Sequence, residues 1–255
     1  MHNVTTPTII AGPCVIEPND VLDEVARTIA ELNKELGIDI VLKASFDKAN
    51  RTSIHSYRGV GMERGLTMLA DMKSRYNLHI TTDIHEAWQA EPVSEVADIV
   101  QIPALLSRQT DIITAAARHA KVVNIKKGQM LSAEDMRHAY NKALESGAKD
   151  VWLTERGNMF GYNNLVVDFR NITIMRGIAP TVIMDCTHSV QRPGANGSQS
   201  GGDNCYIESM ALAAKAFGAN GYFFEVHPTP EKALCDGANS LHIDKLKTLI
   251  NRLIQ

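Results

Sequence analysis

No run of apolar residues in this chain approaches the ~18 needed to cross a bilayer as a helix. Met1 to Pro7 also lacks the charged-then-apolar order of a secretory signal. Cysteine is scarce: four residues, at 14, 186, 205 and 235, with no C-x-x-C pair and no spacing of a small secreted framework. The expectation is a reducing cytoplasm in which these cysteines are free thiols or metal ligands. A formal net charge of −3 lacks the basic excess of a general nucleic-acid binder. The dinucleotide fingerprint Gly-x-Gly-x-x-Gly is missing, because Gly59-Val60-Gly61 follows no strand directly and has no third glycine at the required spacing. Linkers and low-complexity tracts are absent as well, so one domain over residues 1–255 is expected. That length suits one (β/α)8 barrel or two small domains.

What is present is a repeated alternation. Short β-rich apolar runs occur eight times, at Thr8–Ala11, Ile38–Leu42, His79–Thr82, Ile99–Ile102, Val122–Ile125, Val151–Thr154, Val182–Met184 and Tyr222–Phe224. Amphipathic stretches separate them, among them Asp20–Leu36, Ser132–Ser146 and Glu208–Phe217. Alternation of this kind predicts a parallel sheet with crossover helices, and eight repeats favour closure into a single (β/α)8 TIM barrel. Chemistry in such a barrel collects where the strands end. Just past the eight runs stand Cys14, Lys43 with Ser45, Asp83 with His85, Gln101, Lys126, Glu155 with Arg156, Asp185 with His188, and Glu225 with His227. Every strand end delivers a polar or ligand-type side chain.

The densest stretch is Lys43-Ala44-Ser45-Phe46-Asp47-Lys48-Ala49-Asn50-Arg51-Thr52-Ser53. Arginine supplies bidentate contact, lysine a point charge and small hydroxyls the rest of a phosphate shell. By itself the stretch reads equally as a solvated basic loop; the other strand ends favour the anion site. Lys43, Lys48, Arg51, Lys126 and Arg156 would repel one another in one cavity, so an anionic substrate is the expected partner. The competing expectation is that Glu155, Asp83 and Asp47 neutralise them internally. Arg108, at a helix start, fits a subunit contact or a reach to a neighbour's site as well as a local role.

Cys14, His188, Glu225 and Asp236 would together offer a thiolate, an imidazole and two carboxylates to one divalent ion. Singly, each reads as an ordinary buried or rim residue. Cys186 is expected to face the helix layer. The Gly/Ser-rich stretch Gly194 to Asn204 has the composition of a mobile loop over the site.

With these residues in view, the chain resembles the 3-deoxy-D-manno-octulosonate 8-phosphate (KDO8P) synthases, among the phosphoenolpyruvate-condensing barrels that include the heptulosonate synthases. The marks are the Lys43–Ser53 stretch, Gln101-Ile102-Pro103-Ala104, Asn124-Ile125-Lys126-Lys127, Glu155-Arg156-Gly157 and Thr187-His188-Ser189. Ala49-Asn50 is the octulosonate insertion relative to the Lys-Pro-Arg-Thr-Ser of heptulosonate relatives, and Thr52 departs from the more usual serine. The resemblance implies condensation of phosphoenolpyruvate with D-arabinose 5-phosphate and water. Lys43, Ser45, Lys48, Gln101, Ala104, Lys126 and Arg156 would hold phosphoenolpyruvate. Asn50, Arg51 and Thr52 would hold the pentose phosphate, with Arg108 joining from an adjacent subunit. Lys48, His188, Asn50 and Asp236 are implied catalytic residues, with the proton donor open between Lys48 and His188. Cys14 marks the metal-dependent class, which implies one divalent ion (Zn, Fe, Mn or Co) on Cys14, His188, Glu225 and Asp236. A homotetramer with Pro103 to Thr110 at an interface, and a product used in lipopolysaccharide assembly, follow from the same resemblance. A heptulosonate-type synthase and a non-catalytic phosphosugar sensor are the alternatives, separated from the first reading by substrate comparison and by turnover.

Overall fold

The computed structural model describes residues 6–18, 20–196 and 199–255. Eight parallel strands alternate with eight helices in the order β1 (Thr8–Gly12), α1 (Val21–Leu36), β2 (Ile40–Lys43), α2 (Met62–Tyr76), β3 (Ile80–Asp83), α3 (Ala90–Val96), β4 (Ile99–Ile102), α4 (Thr110–His119), β5 (Val122–Lys126), α5 (Met136–Glu145), β6 (Val151–Glu155), α6 (Arg170–Arg176), β7 (Thr181–Asp185), α7 (Ile207–Ala216), β8 (Gly221–His227) and α8 (Leu246–Ile254). Each strand pairs in parallel with the next. β1 also pairs with β8 from Thr8↔Gly221 to Gly12↔Glu225, which closes a (β/α)8 barrel. All eight expected strands are present, and all but β4 reach at least one residue further at their C-terminal end.

Two layers inside the barrel follow from the two-residue period of a strand. Ile10, Val41, Ile99, Ile183 and Phe223 form a buried apolar layer. Two residues further along each chain, Lys43 follows Val41, Gln101 follows Ile99, Asp185 follows Ile183 and Glu225 follows Phe223, and these four are buried too. The interior is thus apolar below and ionic above. The alternate strand positions, such as Ile9, Leu42 and Val100, face outward into the larger core shared with the helices. α1 shows how a helix covers them: Leu22, Val25, Ala26, Ile29 and Leu32 recur at three- and four-residue spacing and are its buried face.

Ile38 does not begin β2 as expected. Gly37 caps α1 at φ 64°, and the Gly37 and Ile38 N–H groups both donate to the Asn33 carbonyl, so Ile38 belongs to the turn that ends the helix. Ser132 does cap the next expected start, accepting from the Asp135 N–H at 3.1 Å. The turn it opens is nevertheless 3-10 in character, with Met136, Arg137 and His138 donating three residues back, and the α-helix begins at Met136. The stretch expected as a mobile loop is, in its described part, an antiparallel ribbon pairing Gln191–Asn196 with Gln199–Gly202. Residues 197 and 198 of that stretch lie outside the described residues.

Candidate active site

A cavity of about 300 Å3 opens at the C-terminal ends of the strands. Lys43, Lys48, Arg51, Lys126 and Arg156 all line it, together with Asn50, Thr52, Gln101, Ala104, His188 and Asp236. Glycine sets the closeness of the first two strand ends: a Cβ on Gly12 would collide with the Lys43 backbone carbonyl. That approach lets Lys43 Nζ donate to the Cys14 carbonyl at 3.2 Å and to Ser45 Oγ at 2.7 Å. Ser45 therefore lies beneath the cavity and acts on Lys43, and its hydroxyl also donates to Asp83. Phe223 is the floor, with Lys126 Nζ 4.0 Å and Lys43 Nζ 5.7 Å from its ring centre.

The cations are only loosely neutralised. Of the three acids expected to pair with them, Asp47 holds Arg58, Glu155 holds Lys127, and Asp83 alone reaches the cluster, 3.7 Å from Lys43. Glu225 lies 3.7 Å from Lys43 and 3.9 Å from Lys48, and Arg51 is 3.9 Å from Asp236. Lys126 has the one close carboxylate, Asp185 at 2.6 Å. Buried Arg156 Nη1 has no hydrogen-bond partner, while Nη2 reaches Gln191 Oε1 at 3.1 Å. Burial, aided by neighbouring Lys43, pulls the Lys48 ammonium down to about 8. Burial also lowers Lys126 and Arg156. Burial alone would raise Asp83, but Lys43, His85 and Lys48 outweigh it and hold that carboxyl well below its usual range.

The other half of the site faces acid to acid. His188 Nε2 lies 3.3 Å from Glu225 Oε1 and 3.9 Å from Asp236 Oδ2, and the ligand atoms of these three residues all lie within 4.8 Å of one another. Glu225 is fully buried and neither of its oxygens has a hydrogen-bond partner. A ring nitrogen facing two carboxylates requires a proton or a cation between them. Burial opposes charge on His188, yet Asp185 and Glu225 prevail and raise its pKa. Glu225 is lowered, as His188, Lys48 and Lys43 overcome its burial. This donor set fits a divalent ion.

Cys14 lies beside that set, its Sγ 3.7 Å from Asp236 Oδ2, and groups with Cys235 and Asp236; the structure also corrects its expected state. Cys14 and Cys235 are joined as a disulfide, with Cα atoms 6.0 Å apart, instead of being free thiols. The 221 residues between them hide the contact, and β1–β8 closure creates it by bringing the two loops side by side. A disulfide sulfur offers no thiolate, so Cys14 could act as a ligand only in the reduced chain. Cys186 is buried in the outer core, facing the helix layer as expected, and Cys205 is exposed.

Arg108 is exposed and does not line the cavity of its own chain. Asp83, expected from sequence as a neutralising acid, lines it, and so do His85, Gln129, Leu105, Met159 and Gln191, to which the sequence assigned no binding role. His85 carried a legible signal, two residues beyond Asp83 and 3.1 Å from it. Gln129 carried none, since it lies three residues past its strand.

Comparison with known proteins agrees with this geometry. The chain matches the DAHP synthetase I family over residues 4–255. It is 52% identical to the 2-dehydro-3-deoxyphosphooctonate aldolase of Desulfatibacillum aliphaticivorans, covering 96% of this chain and 90% of that protein. It is 50% identical to the protein of the same name from Campylobacter jejuni subsp. jejuni serotype O:23/36, covering 97% and 95%. The Helicobacter hepaticus protein of that name is 48% identical over 96% and 94%. A closed barrel with a cationic mouth, matched from residue 4 to the last residue, makes this chain a member of the DAHP synthetase I family.

Proposed function

We propose that this protein condenses phosphoenolpyruvate with D-arabinose 5-phosphate and water to give 3-deoxy-D-manno-octulosonate 8-phosphate and inorganic phosphate. The observation that carries the reading is the loosely neutralised cluster of Lys43, Lys48, Arg51, Lys126 and Arg156 around one cavity, in which only Lys126 has a carboxylate in close contact. Two phosphorylated substrates supply the missing negative charge. The relatives' printed name, an aldolase of a 3-deoxy eight-carbon sugar acid phosphate, agrees with it. Ala49-Asn50 points the same way within the Lys43–Ser53 stretch.

In this reading Lys43, Lys126 and Arg156 bind the phosphate and carboxylate of phosphoenolpyruvate, with Gln101 and Ala104 beside them and Ser45 holding Lys43 from below. Asn50, Arg51 and Thr52 bind the pentose phosphate. C3 of phosphoenolpyruvate forms the new carbon–carbon bond to the aldehyde carbon while water adds at C2. Phosphate then leaves with its ester oxygen as the ketone forms. Positive character develops at C2, where water adds, and negative charge on the aldehyde oxygen, which the fixed cations stabilise without reorganising. Holding both polyanions in register is itself a large part of the acceleration. Lys48 gives its proton to the new alkoxide, because an ammonium lowered to about 8 is charged at neutral pH and readily surrendered. His188, pinned between Asp185, Glu225 and Asp236, is the poorer donor and the better ligand.

A divalent ion (Zn, Fe, Mn or Co) would be held by His188, Glu225, Asp236 and, in the reduced chain, Cys14. Bound there it would supply Lewis acidity toward the aldehyde or a water. The protein further acts as one catalytic domain in the cytoplasm, as a homotetramer, with its product entering lipopolysaccharide assembly. Exposed Leu105, Met159, Phe160 and Tyr162 near the mouth give the tetramer an apolar surface, and Arg108 stands close to it in sequence. Light scattering of the full chain tests the assembly.

The second reading, a heptulosonate synthase, is favoured by Thr52 and by the family's own description. Phosphate release from phosphoenolpyruvate decides between them. Activity with arabinose 5-phosphate and not with erythrose 4-phosphate is expected, and the reverse preference overturns the octulosonate reading. Loss with a chelator and recovery with a divalent ion is expected in the reduced protein.

A further inference from the structure

Lys127 lines no part of the cavity, yet it is a fully buried cation at the junction of two mouth loops. Its Nζ lies 3.5 Å from Glu155 Oε1 and 2.9 Å from Asn158 Oδ1. It also reaches the carbonyls of Leu131 at 3.3 Å and Gly157 at 3.4 Å. Asn158 continues the tie, its Nδ2 donating to the carbonyls of Gln129 at 3.2 Å and Leu131 at 2.9 Å. One ammonium thus joins the loop after β5, which carries Gln129, to the loop after β6, which carries Arg156.

Arg156 depends on that junction more than the other cavity cations do. Lys43 and Lys126 end their strands, so sheet hydrogen bonds fix their direction. Arg156 stands one residue beyond β6, where no ladder holds it. Its backbone is held by Glu155 Oε1, which accepts from the Arg156 N–H at 2.9 Å and the Gly157 N–H at 2.6 Å. Gly157 turns the chain at φ 90°, where an L side chain is strained. Glu155 faces away from the cavity and is fully buried, so its charge needs a partner, and Lys127 is that partner.

We propose that Lys127 is a positioning residue for the phosphoenolpyruvate side of the site: through Glu155 and Asn158 it holds the loops after β5 and β6 so that the Arg156 guanidinium projects into the cavity. The inference rests on the reading of that cavity given above, with Arg156 as a phosphoenolpyruvate ligand.

Steady-state kinetics on two variants tests it. Lys127→Met removes the charge at similar volume. Asn158→Ala, at the half-buried edge of the network, breaks the tie without stranding a buried charge, and it carries the question if Lys127→Met does not fold. Each folded variant is expected to raise KM for phosphoenolpyruvate about tenfold or more, with KM for arabinose 5-phosphate essentially unchanged. Adding Glu155→Gln to Lys127→Met is expected to recover part of the loss, because the glutamine oxygen still accepts from the two N–H groups and is uncharged. A residue that only stabilises the fold would move both KM values together or neither. An unchanged phosphoenolpyruvate KM in folded Asn158→Ala, or a parallel rise in both, overturns the proposal. If the wild type shows no turnover, the functional reading fails separately. The same comparison is then made on the calorimetric Kd of phosphoenolpyruvate, and a wild type that does not bind it overturns both.

Discussion

The Asp185 carboxylate accepts from His188 Nδ1 at 2.7 Å, while its other oxygen takes the His188 backbone N–H at 2.8 Å. That contact fixes the ring so that Nε2 faces Glu225 and Asp236, where it meets them through a proton or a cation. The same Asp185 also holds Lys126 at 2.6 Å, tying the cationic half of the site to the half formed by His188, Glu225 and Asp236.

Asp185→Asn should loosen this orientation while keeping the side-chain shape. Outer partners of ligating histidines typically contribute about 10- to 100-fold in metal affinity. A fall of that size is expected when reduced, metal-free protein is titrated with zinc. Unchanged affinity would show that His188 is oriented by something else or is not a ligand.

With Cys14 as a proposed ligand, metal binding is expected to depend on thiol state. Wild-type protein dialysed against metal with a reductant should retain one equivalent, and much less without it, because Cys235 competes for the Cys14 sulfur. Cys235→Ser should retain the metal in both conditions. Cys14→Asn should lose tight binding in both, since the thiolate is the softest ligand. Elemental analysis of the dialysed samples reads all three; equal metal in every sample would remove Cys14 from the ligand set.

Lys48 sets an alkaline limit. Its pKa is lowered to about 8, so the ammonium is lost as pH rises past that value. If the charged form is needed, kcat/KM for phosphoenolpyruvate falls about tenfold per pH unit above about 8, because that ratio reports the free enzyme. Lys48→Arg should abolish this limb along with most of the turnover. A wild-type profile flat well into the alkaline range would refute the role.

Arg51 and Arg156 should separate the substrates. Arg51→Ala is expected to raise KM for arabinose 5-phosphate, and Arg156→Ala that for phosphoenolpyruvate, each by about one to two powers of ten. Crossed effects would reverse the assignment of the two ends of the cavity.

Asp98 offers a stability test away from the chemistry. It accepts from Lys73 Nζ at 2.8 Å, Lys121 Nζ at 3.0 Å and the Ile80 N–H at 3.1 Å. Burial opposes its ionisation, but these hydrogen bonds prevail and lower it to about 2. A depressed carboxyl contributes stability above its unfolded value, lost as pH falls through the folded one. Asp98→Asn should therefore cost about 1–2 kcal/mol at neutral pH, and less at about pH 3. Urea unfolding at the two pH values checks the sign; a gap that widens in acid would contradict it.

Much of this was legible in the chain itself. The eight strands, the helices between them and the polar residue at every strand end are local patterns. A two-residue period and a three-to-four-residue period report secondary structure without knowledge of the partner. Lys43 and Lys126 could be placed this way, because a strand-end residue in a barrel points to the mouth. Ser45 could not, since its spacing matches a lining residue while its hydroxyl is spent on Lys43 and Asp83. Nor could the pairing of Glu155 with Lys127, which spends an expected neutralising acid outside the cavity. The Cys14–Cys235 contact is the sharpest case. Each cysteine was in view, but 221 residues separate them and only closure of β1 against β8 makes them neighbours. The sequence by itself determined the strands and most of the charged residues that end them at the mouth, because backbone periodicity is local. Which of them touch, and so which charge is free to meet a substrate or a metal, was decided by tertiary structure, because Coulombic and covalent partnerships act through space and ignore chain distance.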